Sequence, residues 1–414
     1  MAADTPGSTA SHGREALAHR LEAAGLGLHE AIRRVADLIP RGSDSPQDLA
    51  RTLKVHRTLA GRLLSALRVD DPLVAASRLP RSEGLRMFLQ AARPLAGRET
   101  VALAEKALCE FEDLVHGELG GWDGFEAALS EWLPDARIKL ELASKQLAFR
   151  GMCNIIGARA DVQLITSIYH PGADGRTCDI AAIDGSVGLR RLRPGARIPL
   201  ATVGVNPSEP APLGSVVAAL NQDGSDDQYP VLREFCTQPA PRFTAERSGD
   251  ITHYLLAGDA IGTRSGVDVF TAGVVRGLRP LRQDAAQPRR RVSNSAGLNV
   301  PTAVLVMHVL LHDDVWPNCP PELVIYDTHL HGPASPNDRT RDISRLDLLE
   351  SIQDLGRGSA RFRCAEVGQH VEMVRSVCAE LGWDAEKLRA YRLRVRYPLY
   401  NAQYCMVFDP PVAD

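Results

Sequence analysis

Residues 45 to 67 read Ser45-Pro-Gln-Asp-Leu-Ala-Arg-Thr-Leu-Lys-Val-His-Arg-Thr-Leu-Ala-Gly-Arg-Leu-Leu-Ser-Ala-Leu67. Ser45 can cap a helix whose first residue is Pro46, since proline has no N–H to leave unpaired there. Leu49, Ala50 and Leu53 give that helix an inner face, and Ala50 is small enough for a second helix to cross closely. Lys54-Val55-His56 is a turn with one apolar residue turned inward. A second helix follows, with Leu59, Leu63, Leu64 and Leu67 inward and Ala60 small. Its outward positions are His56, Arg57, Thr58, Gly61, Arg62 and Ser65.

Helical periodicity extends on both sides of this stretch. Upstream, Leu28, Ile32, Val35, Ala36 and Ile39 share one face of a 3.6-residue helix, which Pro40, Gly42 and Ser43 break. Residues 1–13 are small and polar and read as a disordered tail. Downstream, Asp70-Asp71-Pro72 leads into more helix. Further helices are expected near 82–92, 99–117 and 123–156, the last with a break at Pro134. The segment 14–98 then forms a helical domain, and 99–156 a linker or dimerisation region.

The character changes at Gly157. Val162–Tyr169 is rich in β-branched residues and reads as a strand. Cys178–Ile183 and Ser186–Leu192 flank Asp184-Gly185, a dipeptide suited to a tight hairpin turn. Further strands are expected at Ile198–Val205, His253–Ala257, Val267–Val275, Ala303–His312, Leu323–Leu330, Leu393–Tyr397 and Gln403–Phe408. Two late helices are expected near 344–355 and 367–382, and 282–299 reads as a mobile loop. Helices first, then mostly antiparallel strands with two late helices, make an α+β protein with a β-rich domain over 157–414.

The 45–67 spacing resembles the helix-turn-helix of bacterial transcription regulators, including winged-helix types. The resemblance rests on Ala50, Leu53, Val55, Ala60 and Leu63 and covers about two dozen residues. It departs from the family at Lys54, where glycine is usual, and after Leu67, where helix continues instead of a β-wing. The resemblance implies binding of double-stranded DNA, with Arg57 and Arg62 on phosphate or guanine and Arg51 and Lys54 on the backbone. His56, Thr58 and Ser65 complete the outward set. The whole chain has a net charge of -3. Residues 45–98 nevertheless hold nine arginines and Lys54 against Asp48, Asp70, Asp71 and Glu83, a local charge of +6. The competing reading is a helical packing module with arginines on solvated faces. A regulator of this kind implies a homodimer and a small-molecule effector.

Other chemistry is sparse. In Tyr326-Asp-Thr-His-Leu-His-Gly332, a continuing strand would put Asp327, His329 and His331 on one face, where they could seed a divalent metal site for an enzyme. The alternative is a strand that ends at Thr328 with solvated histidines in the turn. A third possibility for the chain is non-catalytic assembly. Gly258–Gly266 fits neither a P-loop nor a dinucleotide fingerprint. Eight scattered cysteines without C-x-x-C argue against a zinc ribbon. Asp347, Glu350 and Asp354 read as an ion-pair face on the first late helix, and Tyr397, Tyr400 and Tyr404 as part of a sheet face. No apolar run is long enough to span a bilayer, and no secretory leader is evident, so the expected location is the cytoplasm.

Overall fold

The computed structural model describes residues 7–40, 45–69, 71–204, 218–219, 231–249, 251–262 and 265–413. Residues 1–6 of the expected tail, the expected breakers Gly42 and Ser43, Asp70, and Val205 at the end of one expected strand lie outside these. The chain divides into two compact units, residues 1–141 and 142–414.

The first unit is helical: α1 (Gly7–Asp37), α2 (Pro46–Leu53), α3 (Arg57–Leu67), α4 (Pro72–Arg78), α5 (Ser82–Ala96), α6 (Arg98–Leu119), α7 (Trp122–Trp132) and the start of α8 (Pro134–Ile156). Helix α1 reaches back to Gly7, so residues 7–13 are helical, not a tail. The expected Ser45 cap is present, its Oγ accepting the Asp48 N–H, and Asp71 adds a cap ahead of α4 by accepting from both Leu73 and Val74. The apolar faces meet in one core that includes Leu28, Ile32 and Val35 of α1, Leu53, Leu63, Phe88, Leu89, Leu108 and Phe111. Phe125 packs edge-on against Phe111 (5.3 Å between centroids) and against Trp122 (5.7 Å), and Trp122 Nε1 donates to Ser82 Oγ at 3.0 Å.

The second unit contains β1 (Ala158–Pro171), β2 (Thr177–Arg191), β3 (Pro199–Gly204), β4 (Ala218–Ala219), β5 (Phe243–Ser248), β6 (Ile251–Leu256), β7 (Val267–Pro280), β8 (Val292–Ala296), β9 (Thr302–His312), β10 (Glu322–Asp327), β11 (Ile352–Arg357), α9 (His370–Leu381), β12 (Leu388–Arg396) and β13 (Ala402–Phe408). The large sheet runs β11-β12-β9-β1-β2-β7-β4. Two three-stranded sheets run β10-β13-β8 and β3-β6-β5. Only β1 and β9 pair in parallel among these strands, so the large sheet is mixed. The protein is thus α+β, a helical part followed by a β-rich part with late helical elements.

The large sheet is covered on both faces. On one side Leu164, Ile168, Ile183, Phe270, Val306 and Leu310 pack on Met373, Val374 and Val377 of α9. On the other, Tyr169, Leu305, Met307, Val309 and Leu393 pack on Ala296, Tyr404, Met406 and Phe408 of the β10-β13-β8 sheet. Strand β9 is therefore apolar on both faces, which makes its run continuous instead of alternating. Tyr404 sits in this core as a sheet-face residue, and its hydroxyl accepts the Leu399 N–H at 2.9 Å.

Several expectations are corrected. Asp184-Gly185 is no hairpin turn: β2 passes straight through it, pairing with β1 on one side and β7 on the other. Glycine is needed there because a Cβ would stand 2.2 Å from Phe270 Cδ1 and 2.7 Å from Val269 O. The 282–299 segment is not a free loop, since it contains β8. Gln283 ties it to Pro410 and Pro411, and Arg291 pairs with Glu322 and Asp409. The helix expected at 344–355 is not formed: a short 3-10 turn, Arg339–Ser344, ends where it should begin, and the residues after it lead without helix into β11. Asp347, Glu350 and Asp354 therefore share no helix face. Glu350 instead forms a buried ion pair with Lys145 of α8, within the second unit.

Candidate functional site

The α2–turn–α3 hairpin has the geometry its sequence implies. Helix α2 ends at Lys54, whose backbone lies in the left-handed region (φ 53°, ψ 40°), and the N–H groups of Lys54 and Val55 converge on Ala50 O. A lysine thus occupies the conformation glycine normally supplies. Leu53, Ala60, Leu63 and Ala66 are buried, and Gly61 faces Pro46 of α2, where an added Cβ would make an ordinary contact at 3.8 Å. All seven predicted residues, Arg51, Lys54, His56, Arg57, Thr58, Arg62 and Ser65, are exposed. Thr58, Arg62 and Ser65 share an outward face of α3 by i, i+4 and i+7 spacing.

Their availability differs. His56 is committed as the α3 N-cap, its Nδ1 accepting the Thr58 N–H at 3.3 Å. Arg51 pairs with Asp48 at 3.1 Å. Lys54, Arg57 and Arg62 form no ion pair among the described residues. Much of the local positive excess lies elsewhere and is neutralised: Arg81 pairs with Glu126 and Asp123, Arg86 with Glu112, and Arg93 with Glu105. Three unpaired cations thus stand on the hairpin, while Arg78 and Arg98, outside it, also form no ion pair among the described residues. No β-wing follows α3; α4 does.

Asp327, His329 and His331 do not form a shared face. Strand β10 ends at Asp327, and residues 329–331 are a turn. Asp327 Oδ1 accepts the His329 N–H at 2.9 Å, closing a local side-chain turn. The Arg341 guanidinium draws in the carbonyls of His331, Gly332 and Pro333 at 2.8–3.1 Å, so the backbone curls and both histidines project into solvent. Among the described residues no group of three His, Cys, Asp or Glu side chains is placed to hold a metal. All eight cysteines are free thiols, and only Cys109 is exposed.

Sequence reasoning missed a cavity of about 310 Å³ in the second unit. It lies between β1, β2 and β7 of the large sheet and the segments holding Asn294, Gly297, Asn299, Leu200 and Ala201. The register places Gln163 opposite Ser186, Ile165 opposite Asp184, and Asp184 opposite Thr271. Gln163 donates to Gly297 O at 2.8 Å, and Tyr169 OH donates to Asn294 Oδ1 at 3.2 Å. That leaves Gln163 Oε1 and Asn294 Nδ2 without partners, on side chains only 5% and 2% exposed. Asp184 lines the cavity as an exposed residue, and loss of hydration against the surrounding protein raises its carboxyl above its ordinary value, to about 6. It is the only charged side chain among the described lining residues. The sequence did carry a trace of this site. Gln163 and Ser167 are polar residues on one face of β1, on either side of Ile165.

No family model, curated protein or solved structure matches the chain. Among the described residues no helix is long and apolar enough to cross a membrane.

Proposed function

We propose that the protein is a DNA-binding transcriptional regulator acting in the cytoplasm as a homodimer. In this reading α3 enters the major groove, Arg57 and Arg62 meet guanine edges or phosphates, and Lys54 holds the backbone. Thr58 and Ser65 add shorter polar contacts. The second unit supplies the site for a small-molecule effector, which acts by favouring one spacing of the two α3 helices. The observation that supports the reading is a group of three exposed, unpaired cations around the turn and first two turns of α3. Lys54, Arg57 and Arg62 are exposed and unpaired on one hairpin, while Arg81, Arg86 and Arg93 of α5 and its N-terminal flank are spent on ion pairs.

The test is fluorescence anisotropy of the full chain on duplex DNA from its own upstream region, across a salt series, beside Arg57→Ala and Arg62→Ala. Binding that weakens steeply with salt and is reduced by both substitutions is expected. A folded wild-type protein that binds no DNA at low salt would reduce the hairpin to a packing element.

A further inference from the structure

Over residues 142–156 helix α8 has two contrasting faces. The inner one carries Lys145, Phe149 and Cys153, all buried. Lys145 pairs with Glu350, Phe149 packs on Tyr397 at 5.4 Å between centroids, and Gln146 donates to the Tyr397 hydroxyl at 3.2 Å. These contacts fix the helix to the second unit. Two residues on from each inner position, roughly 200° round the helix, stand Leu147, Gly151 and Ile155. The six positions within about 60° of Gly151 are Ser144, Leu147, Ala148, Gly151, Asn154 and Ile155. All six are exposed and none is charged. A helix face kept for water ordinarily carries charges. Leu147 and Ile155 are each 68% exposed, more than any other large apolar side chain on an α-helix or strand among the described residues. Gly151 points the same way. Glycine inside a helix weakens it relative to alanine. Among the described residues nothing lies within 4 Å of where its Cβ would stand, so no contact within the chain calls for glycine there. The close approach of another helix does.

We propose that this face of α8 packs against the same face of α8 in a second copy of the chain. Leu147, Gly151 and Ile155 form a ridge of i±4 spacing, and two such ridges interdigitate at a crossing angle near about −50°, with the glycines at the crossing. A two-fold axis there sets the apolar side chains of one copy against those of the other. Charge and area both select this occupant. A face without charge gives a charged partner nothing to pair with, whereas its own copy covers it without burying a charge. The six residues and their rim would remove on the order of 500 Å² per copy from water, about 1,000 Å² in all, which reaches the lower end of specific interfaces. A reversible dimer is therefore expected. The inference rests on the homodimer reading, to which it gives a surface, and does not require DNA.

The experiment is sedimentation equilibrium of the full chain from about 1 to 100 μM. Wild type is expected to dimerise reversibly in that range. Leu147→Glu combined with Ile155→Glu should weaken the dimer about 100-fold or more, with no loss of melting temperature at a concentration where wild type is monomeric. Leu103→Glu, at an exposed apolar position of α6, should leave the dimer unchanged. In a Cys109→Ser background, Gly151→Cys should give a disulfide-linked dimer on oxidation and Leu103→Cys should not. A wild type that stays monomeric at about 100 μM would overturn the proposal and the homodimer with it. If its melting temperature also fell with the double substitution, the face would be covered within the chain. A wild-type dimer that the double substitution leaves intact would overturn this interface alone. If the double variant fails to fold, the cross-link decides, and its absence from Gly151→Cys overturns the proposal. A dimer that weakens as described but binds no DNA supports this surface and counts only against the regulator reading.

Discussion

Replacing Lys54 with glycine separates what the α2–α3 turn needs from what a DNA interface needs. Lys54 sits at φ 53°, ψ 40°. A left-handed conformation costs an L-residue roughly 1–2 kcal/mol, and glycine escapes it. Glycine gives back part of the gain, about 0.5–1 kcal/mol, through the greater freedom of the unfolded chain. The balance favours Lys54→Gly by about 0.5–1 kcal/mol, or about 2–4 °C in melting temperature for a unit of this size. The same change removes an exposed, unpaired cation. If Lys54 contacts a phosphate in each half of a dimer, the slope of log affinity against log salt becomes shallower by about 2. Differential scanning calorimetry and anisotropy on one protein preparation read the two effects. A variant that is more stable but binds DNA less tightly fits a strained residue retained for its charge. A lower melting temperature would refute the strain argument. An unchanged salt slope in a protein that binds DNA would remove Lys54 from the interface.

Four other perturbations follow from the second unit. Gly185→Ala should destabilise by about 1–3 kcal/mol in urea titration, because its Cβ would lie 2.2 Å from Phe270 Cδ1 and 2.7 Å from a backbone oxygen; an unmoved midpoint would mean β7 yields freely. Lys145→Met strands Glu350 in a buried setting and should cost about 3–5 kcal/mol, much of it recovered by adding Glu350→Leu. If the double variant were no better than the single one, the loss would not come from the stranded charge. For Asp184 the folded pKa, about 6, lies above its ordinary 3.8, so the folded state holds the proton more tightly and stability falls as pH rises between those values. Asp184→Asn should therefore melt higher than wild type at pH 7, with the gap closing toward pH 4; a gap independent of pH would contradict this. His370 has the opposite sign. Burial lowers it from 6.5 to about 4, so the unfolded chain takes up the proton first, and stability is lost as pH falls from 6.5 toward 4. His308, stacked on it at 4.3 Å and also lowered by burial, adds to the same loss. Melting curves that stay flat across that window, in wild type and His370→Leu alike, would contradict it.

What could be read from the sequence was local, and what could not depended on partners far along the chain. Helices α2 and α3 were legible to within a residue because Ser45, Pro46 and the apolar spacing act within a few positions of one another. Asp184-Gly185 misled because the dipeptide fits a tight turn by itself; its actual reason, Phe270 pressing on the glycine, comes from a strand more than 80 residues away. The acidic spacing of Asp347, Glu350 and Asp354 suggested a helix face, yet Glu350 is there for Lys145, some 200 residues earlier. Strand β8 was hidden because Val292-Ser-Asn-Ser-Ala296 is polar. Its Asn294 is buried for the hydrogen bond from Tyr169 and for its place on the cavity wall.

The cavity follows from a mismatch in sheet width. Seven strands form the large sheet, but the sheet stacked on one face has only three, and its edge strand is β8. Under that cover the large sheet shows Leu305, Met307 and Val309 of β9, residues that gain from a dry neighbour. Beyond the β8 edge, the corresponding positions of β1, β2 and β7 carry Gln163, Ser167, Ser186, Asp184 and Thr271. Packing alone would favour extending the small sheet, or filling the gap with apolar side chains. Asp184 stands at that gap, and the Asp184→Asn melting comparison reads what its carboxylate contributes to stability there. On the regulator reading, this gap is where the proposed effector would be sought, and that search does not depend on whether α3 reads DNA.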